Sequence, residues 1–387
     1  MRPAEFRYDD NLGRPWARAL RRSLELALGF DPAPPRELVD AFASAYYDGD
    51  PFAEALVADA GGVDRSVLER ALEGEVAREP SWLDWARVEH GARVFRRYGP
   101  AVFRFAGAIT LQGYSESSVA KPLALTGAYA GDSTRKRFLE TVAFWIAVSE
   151  PGGLRPGAKG RASALRVRLM HVFVRKRLLA HPEWDLEAWG VPISQADATL
   201  TLMGGSFIPG LAMKAMGYRP TDADIEAMMH FWRWVGHLMG VRPTFYPASM
   251  KQAWQLVFAS IVKGSGLAGE DGRHLCESYV RAFAPDPRAP LPERLRATLS
   301  DGVHRGFARF FVPPWTYRKN GLPPAGLWAL YPVAGFPFVF GAETLRRALP
   351  PLEDLADRVA RRRRLRFYRE HAGAREAEYR PAETFTR

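Results

Sequence analysis

Apolar residues recur every three or four positions along most of this chain, which is the spacing of amphipathic helices, and alternating strand-like runs are scarce. Stretches rich in proline and glycine separate these segments. Thr221 and Asp224 form the pattern of a capping box, and Gly240 is placed to end the helix that they begin. The expected fold class is all-α, in a single large helical domain. Helices are predicted over residues 16–28, 35–44, 64–77, 84–97, 134–148, 162–180, 194–203, 222–239 and 247–263.

The helix predicted over 162–180 is apolar around most of its circumference, which is typical of a buried helix. Arg168, His171 and Arg175 share its one narrow polar face. Buried arginines need anionic or hydrogen-bonding partners, because an unpaired charge away from water is costly. A haem is one such partner, with iron for the imidazole and carboxylates for the guanidinium groups. Arg-Asp and Arg-Glu networks between packed helices give the same pattern, and most lone histidines on apolar helices are core residues.

The helix predicted over 134–148 also looks largely buried. Arg137, Thr141 and Trp145 lie on one face at four-residue spacing, with Glu140 beside them. Opposite charges three residues apart pair with each other by default, so Arg137 and Glu140 have a purely structural interpretation. In a haem pocket, the same side chains would supply a hydrogen-bond donor, an acid or base, and a hydroxyl group.

Composition narrows the remaining chemistry. The chain has 387 residues, of which 47% are hydrophobic, so it can bury a large core. The single cysteine, Cys276, excludes an intramolecular disulfide framework and cysteine-based metal motifs, and it fits a reducing compartment. Glu226 and His230 have helical chelate spacing, but no second motif completes a metal site. Nucleotide-binding glycine loops and a serine nucleophile elbow are also missing from the sequence.

No secretory signal pattern and no apolar run long enough for a membrane span occur in the sequence, so we expect a cytoplasmic protein. The nearest candidate, residues 327–342, carries Pro332 and Pro337 and predicts a buried wall or a shallow peripheral membrane contact. The formal net charge is +11, part of it in the arginine-rich run at 361–366. Because no aromatic-basic interleaving accompanies that run, a solvated helix end is favoured and nucleic-acid binding is not expected.

Several short segments, taken in order, resemble the MpaB-type oxygenase family, which includes the bacterial rubber oxygenases, or latex clearing proteins. The resemblance covers roughly residues 40 to 250 and weakens towards 345. Each segment is weak alone, and their order makes the resemblance specific. The segments are residues 49–57, 80–84, 111–114 and 126–127, Arg137-x-x-x-Thr141, Arg168-x-x-His171-x-x-x-Arg175, and residues 189–195 and 235–241.

The resemblance implies a globin-like helical core and a bound haem b. By this likeness, His171 is the proximal iron ligand, Arg168 and Arg175 fix the cofactor site, and Arg137 and Thr141 line the opposite side. It also divides the chain into an N-terminal helical extension at 1–40, a catalytic domain at 41–345 and a basic C-terminal helix and tail at 346–387.

Two features of the implied catalytic side depart from the family pattern. The rubber oxygenases have a lysine immediately before the threonine that matches Thr141, and this chain has Glu140 at that position. The family's acid/base glutamate lies upstream of the Arg137 helix, and Glu116 is the candidate for it, with Glu140 as the alternative. The replacement of the lysine by Glu140 puts rubber itself in doubt as the substrate.

The function that the resemblance implies is a haem-dependent oxygenase. It would use dioxygen to oxygenate or cleave a C=C bond in a hydrophobic small molecule or polyprenyl chain, with a carboxylate taking an allylic proton. Aromatic-rich stretches such as 328–340 would line the cavity that holds the apolar substrate. Two alternatives stay open: a haem-binding or sensing protein without oxygenase chemistry, and a cofactor-free all-α scaffold in which His171 and the arginines form a structural network.

Overall fold

The computed structural model describes residues 1–58, 64–127, 133–264 and 266–372. All regular secondary structure within these ranges is helical, which confirms the all-α prediction. Short 3₁₀ helices occur at Ala45–Tyr47, Met213–Met216 and Gly326–Leu330. The α-helices are α1 Tyr8–Leu12, α2 Pro15–Leu28, α3 Arg36–Ser44, α4 Pro51–Ala58, α5 Arg65–Val76, α6 Trp85–Arg97, α7 Ala101–Gly113, α8 Ser117–Thr126, α9 Ser133–Ser149, α10 Lys159–Leu179, α11 Leu186–Trp189, α12 Gln195–Gly205, α13 Phe207–Ala212, α14 Asp222–Leu238, α15 Met250–Val262, α16 Gly269–Ala282, α17 Leu291–Phe311, α18 Pro314–Lys319, α19 Tyr331–Ala334, α20 Phe336–Ala348 and α21 Pro351–Ala372.

The nine helices predicted from periodicity are confirmed as α2, α3, α5, α6, α9, α10, α12, α14 and α15, and no end differs by more than three residues. The capping box of α14 is present, with the Thr221 hydroxyl accepting from Asp224 N and the Asp224 carboxylate accepting from Thr221 N. Periodicity did not predict α7, which buries residues around most of its circumference, because such a helix has no polar face to set a period.

The main core forms where α6, α9 and α14 meet. Phe95 of α6, Trp145 of α9 and Trp232 of α14 make edge-on ring contacts, with centroids 5.3–5.5 Å apart. Gly91 lets α6 approach α14, since a Cβ there would lie 2.1 Å from the carbonyl oxygen of Ala227. Helix α10 packs against α9, α14, α4 and α5, which places its polar face between the core and the N-terminal helices.

The C-terminal helix packs on this same core. Phe367 of α21 belongs to the main apolar cluster, and Arg364 is fully buried. The Arg364 guanidinium donates to the carbonyl oxygen of Trp145 and to the Ser149 hydroxyl of α9. Within the basic run, Arg361 also pairs with Glu150, so part of the run stabilises the fold. Residues 373–387 of the predicted tail lie outside the described residues, and the predicted domain division and globin-like arrangement stay predictions.

The apolar stretch at 327–342 is not a buried wall, so the first of its two predicted interpretations is wrong, and a shallow membrane contact stays a prediction. Its residues form the last 3₁₀ helix, α19 and the start of α20, and Leu327 and Phe338 are 87% and 82% exposed. Pro332 and Pro337 lie in the first turns of α19 and α20, so the stretch is divided into three elements and does not continue as one buried helix. Among the described residues, no helix is long and apolar enough to cross a membrane.

Candidate functional site

Helix α10 presents Arg168, His171 and Arg175 to one cleft, as the spacing predicted. The cleft has an empty volume of about 250 Å³ and is partly open to solvent. Its other walls come from the residue before α4, the 192–195 turn, α12 and the turn after α14. The lining residues are Asp50, Arg168, His171, Val172, Arg175, Ile193, Gln195, Ala198, Met239, Gly240 and Val241.

Arg168 is 1% exposed, and protein carboxylates satisfy its guanidinium. Its Nε donates to Asp50 Oδ2 at 2.6 Å, its Nη2 to Asp50 Oδ1 at 2.9 Å and its Nη1 to Glu75 Oε2 at 2.8 Å. Burial raises the pKa of Glu75, but hydrogen bonds from Arg242 and Arg168 outweigh it and lower that pKa to about 2. Because Asp50 also accepts from Ala53 N at the start of α4, it ties α4 to α10.

Arg175 closes the cleft on the other side of His171. Its Nη1 donates to Glu54 Oε1 at 2.7 Å, and its Nε and Nη2 donate to the carbonyl oxygens of Pro192 at 2.8 Å and Ile193 at 2.6 Å. Ile193 has a φ of 55°, the only positive φ of a non-glycine residue in the described ranges. A β-branched residue is strained in this region. Arg175 therefore holds a strained turn against the cleft.

The turn after α14 depends on a glycine. Gly240 has a φ of 78°, and a Cβ there would lie 2.1 Å from Asp50 Oδ2 and 2.8 Å from Arg168 Nε. Gln195 Nε2 donates to the carbonyl oxygens of Gly240 at 2.8 Å and Gly49 at 2.6 Å. Gln195 thus joins the turn that carries Asp50 to the turn that carries Gly240. At position 240, only glycine fits beside the Arg168–Asp50 pair.

The imidazole of His171 differs from its charged neighbours because it makes no hydrogen bond to any described residue. The side chain is half-buried. Burial, followed by the positive charge of Arg175, lowers the pKa of His171 to about 4, although Asp50 opposes the shift. The ring is therefore neutral at pH 7, which is the form that binds metals.

One donor at this cleft, the neutral imidazole of His171, fits a haem. Across 1–58, 64–127, 133–264 and 266–372, no group of three or more His, Cys, Asp or Glu side chains is arranged to hold a bare metal ion. A haem needs less from the protein, because the porphyrin supplies most of the iron ligands and the neutral imidazole of His171 would hold the iron to the chain. A haem occupies more space than this partly open cleft, so a haem held by His171 would extend beyond it.

Hydrogen bonds within α9 join the three residues that were predicted for its functional face. Arg137 Nη1 donates to Glu140 Oε2 at 2.9 Å, and the Thr141 hydroxyl donates to the carbonyl oxygen of Arg137 at 3.1 Å. Glu140 is buried, and its Oε1 has no hydrogen-bond partner among the described residues. Helix α9 packs along α10, but no α9 residue lines the cleft at His171. The structure therefore brings Arg137, Glu140 and Thr141 together, apart from that cleft.

Glu116 lies in a third place. It precedes α8, and its Oε2 accepts from Lys263 Nζ at 2.6 Å. Both residues line a different cleft of about 340 Å³ empty volume, beside Tyr46 and Trp189. The structure does not bring Glu116 to His171 or to Glu140, and its acid/base role stays a prediction.

Sequence reasoning missed the acidic partners of the two arginines. Asp50 and Glu54 lie within a segment that carries the family resemblance, but no role was predicted for them, and Glu75 was not singled out. The sequence did predict that each buried arginine needs an anionic or hydrogen-bonding partner. That requirement does not identify which residue the partner is. Glu226 and His230 of α14, which have the spacing of a metal chelate, bond to the backbone of other segments. His230 Nε2 accepts from Asp84 N, and Glu226 Oε1 accepts from Met250 N.

Comparison with known proteins adds three findings. Residues 71–340 match the family model described as "ER-bound oxygenase mpaB/B'/Rubber oxygenase, catalytic domain". The chain is 28% identical over 280 residues to a rubber oxygenase of Streptomyces sp. (strain K30), which covers 65% of this chain and 67% of that protein. It also superimposes on latex clearing protein in its closed state with a TM-score of 0.60 at 20% identity, covering 83% of this chain and 91% of the other; this likeness concerns the fold.

Proposed function

This chain belongs to the mpaB/rubber oxygenase catalytic-domain family, and on that premise we propose that it is a haem b-dependent oxygenase. The resemblance carried by the ordered sequence segments is thereby confirmed. We further propose that the enzyme uses dioxygen to oxygenate or cleave a C=C bond in a hydrophobic, isoprenoid-like or otherwise unsaturated molecule. The name of the Streptomyces relative, a rubber oxygenase, supports this substrate class.

The observation that carries the proposal is the state of His171. It is neutral at pH 7, has no hydrogen-bond partner in the described residues, and faces a cleft. A neutral imidazole that no described residue engages can bind a metal, so His171 would hold a haem iron at this cleft. When bound, the haem supplies an iron centre that activates dioxygen.

Arg168 and Arg175 act on His171 by positioning it. Their bonds to Asp50, Glu75, Glu54 and two backbone carbonyls fix α10 relative to α4, α5 and the 192–193 turn. The positive charge of Arg175 also helps to keep the imidazole unprotonated. Since the described bonds of both arginines go to the protein, we assign them to the framework around the cofactor rather than to direct contact with it.

On α9, Glu140 is our proposed base. Arg137 Nη1 holds its Oε2, which leaves the buried Oε1 as the atom that would take an allylic proton from the unsaturated substrate. Thr141, one residue further along α9, would offer a hydroxyl beside that carboxylate. This arrangement replaces the lysine that the rubber oxygenases have before the threonine, so we propose a substrate other than rubber itself.

One observation favours a second candidate function. Because no α9 residue lines the cleft at His171, the protein can bind haem at His171 without a base nearby. Such a protein would bind or sense haem and lack oxygenase chemistry. The satisfied arginines are the observation behind the third candidate, a cofactor-free scaffold.

The experiment is to express the protein with added haem, record its absorption spectrum, and then supply oxygen and a panel of polyprenyl and polyunsaturated lipids to the reduced protein. We expect a Soret band and carbonyl products, detected by mass spectrometry after hydrazine derivatisation. Glu140→Gln should keep the Soret band and lose the products. A loaded protein with no carbonyl product from any lipid supports sensing, and a protein that binds no haem refutes both haem functions.

A further inference from the structure

The C-terminal third of the described chain exposes large apolar side chains that nothing in the structure covers. We call six of them the C-terminal apolar surface: Leu291, Leu295 and Leu299 of α17, Leu327 and Leu330 of the last 3₁₀ helix, and Phe338 of α20. Their exposed fractions run from 57% to 87%. Monomeric proteins rarely leave contiguous apolar patches of this kind in water, so the surface needs a function.

Helix geometry joins the α17 leucines to the 3₁₀ helix. At 100° per residue, the positions of the three leucines, Gly302 and Gly306 fall on the same face of α17. The 3₁₀ helix sits on that face, since a Cβ on Gly302 would lie 2.3 Å from Trp328 Cε2 and one on Gly306 would lie 2.1 Å from the Trp328 carbonyl oxygen. The leucine row therefore continues directly from the 3₁₀ helix and its exposed Leu327 and Leu330.

Helix α20 extends the surface. Along the chain it follows the last 3₁₀ helix and α19. Helix α19 packs against both that 3₁₀ helix and α20. The first turn of α20 rests its backbone on Gly217, where a Cβ would lie 2.6 Å from the carbonyl oxygen of Phe336. This contact covers one side of the turn, and Phe338 points away from it and stays 82% exposed.

The charges around this surface are mostly positive. Residues 291–349 contain eight lysines and arginines and three acidic residues. Two of the three acids are already paired, Asp301 with Arg305 and Glu343 with Arg346. Arg294 and Arg296 lie between the leucines of α17, and Arg347 lies on α20; all three are exposed and form no ion pair with a described residue. The apolar side chains thus stand among three cations that no described acidic residue pairs with.

We propose that the C-terminal apolar surface docks this protein on an anionic lipid bilayer. The leucines and Phe338 would enter the boundary between headgroups and acyl chains, and Arg294, Arg296 and Arg347 would pair with lipid phosphates. A second copy of the chain fits less well, because two such surfaces would bring like charges together. The inference does not rest on the proposed function, since docking needs neither haem nor turnover.

The test is flotation of the full-length protein with vesicles of phosphatidylcholine, alone or mixed with phosphatidylglycerol. We expect binding to the mixed vesicles at low salt, and weaker binding at high salt. Leu295→Ser with Leu299→Ser, and separately Phe338→Ser, should each weaken binding by roughly tenfold or more, because less apolar surface enters the bilayer. Leu26→Ser is the matched control, since Leu26 on α2 is 90% exposed and lies outside the surface.

The charge contribution is tested separately. Arg294→Gln, Arg296→Gln and Arg347→Gln combined should weaken binding to mixed vesicles by about a hundredfold at low salt, at about fivefold per arginine. Arg14→Gln, Arg18→Gln and Arg22→Gln combined remove the same charge from α2 and the residue before it, and they should change binding much less. Unchanged thermal unfolding of all variants shows that the fold is kept.

Three results would overturn the inference. They are equal binding to neutral and mixed vesicles, equal binding by the surface variants and their α2 controls, and absence of vesicle binding together with a dimer, seen in sedimentation velocity, that the leucine substitutions dissociate. The last result would assign the surface to a second copy of the chain.

Discussion

The carboxylates beside α10 and on α9 are bonded in different ways. Asp50, next to α10, has both oxygens engaged by Arg168 and also caps α4, so it links separate parts of the chain. Glu140, on α9, has one oxygen bonded to Arg137 three residues away, and its other oxygen accepts no hydrogen bond from the part of the chain that the structure describes. The first arrangement fixes the position of a helix, and the second leaves a buried carboxylate oxygen available for chemistry. We infer that the α10 network is a framework and that Glu140 is a reactive group.

Asp50→Ala should have the largest effect on stability. Arg168 would keep Glu75 but lose two hydrogen bonds to a buried partner, and α4 would lose its cap. We expect a loss of about 3 kcal/mol or more in the free energy of unfolding, measured by urea denaturation. Glu370→Ala, which breaks the exposed pair with Arg366, is the control and should cost under about 1 kcal/mol. Equal losses would show that the α10 network is not a framework.

Gly240→Ala should come next. The substitution places a Cβ against Asp50 and Arg168 at a positive φ, and we expect it to cost roughly 2–4 kcal/mol. Gly29→Ala is the matched control, because Gly29 has a φ of 74° with nothing within 4 Å of its Cβ and should cost only about 1 kcal/mol. The difference measures the contact with the Arg168–Asp50 pair, and no difference would mean that this turn yields easily.

A smaller effect should follow from the pKa of His171, about 4 when folded and 6.5 when unfolded. Between these values the unfolded chain binds the extra proton, so the stabilising contribution is present above pH 6.5 and is lost as the pH falls towards 4. From pH 7 to 5, haem-free protein should lose on the order of 1–2 kcal/mol more than His171→Ala does. The free energy of unfolding is measured by urea denaturation at both pH values. An equal loss in the haem-free protein and in His171→Ala would show that the fold does not hold the imidazole neutral.

Glu140→Gln should have the smallest effect on stability. Glutamine keeps an oxygen that accepts from Arg137 and removes one charge from an i,i+3 pair, so the free energy of unfolding should change by less than about 1 kcal/mol. The same variant should lose most of the product-forming activity, because the amide cannot take the allylic proton. A large loss of stability with activity retained would mean that Glu140 is structural, like Asp50.

Periodicity predicted much of the fold, because amphipathic helices such as α10 and α14 carry their own signal. It also placed Arg168, His171 and Arg175 on one face. It did not predict the partners of the arginines, since Asp50 and Glu75 are 118 and 93 residues away from Arg168 along the chain. The exposure of Leu327 and Phe338 was missed for the same reason: burial depends on how elements pack, and an apolar run does not specify its neighbours.

The central proposal is that His171, whose imidazole makes no hydrogen bond to a described residue, would hold the iron of a haem. The most direct measurement is the Soret absorbance per protein of His171→Ala, with His237→Ala as the matched control. His237 is another half-buried histidine, and burial lowers its pKa to about 4 as well. We predict that the wild type and His237→Ala retain haem and that His171→Ala loses it or shows a displaced Soret band. An unchanged Soret band in His171→Ala would contradict the account.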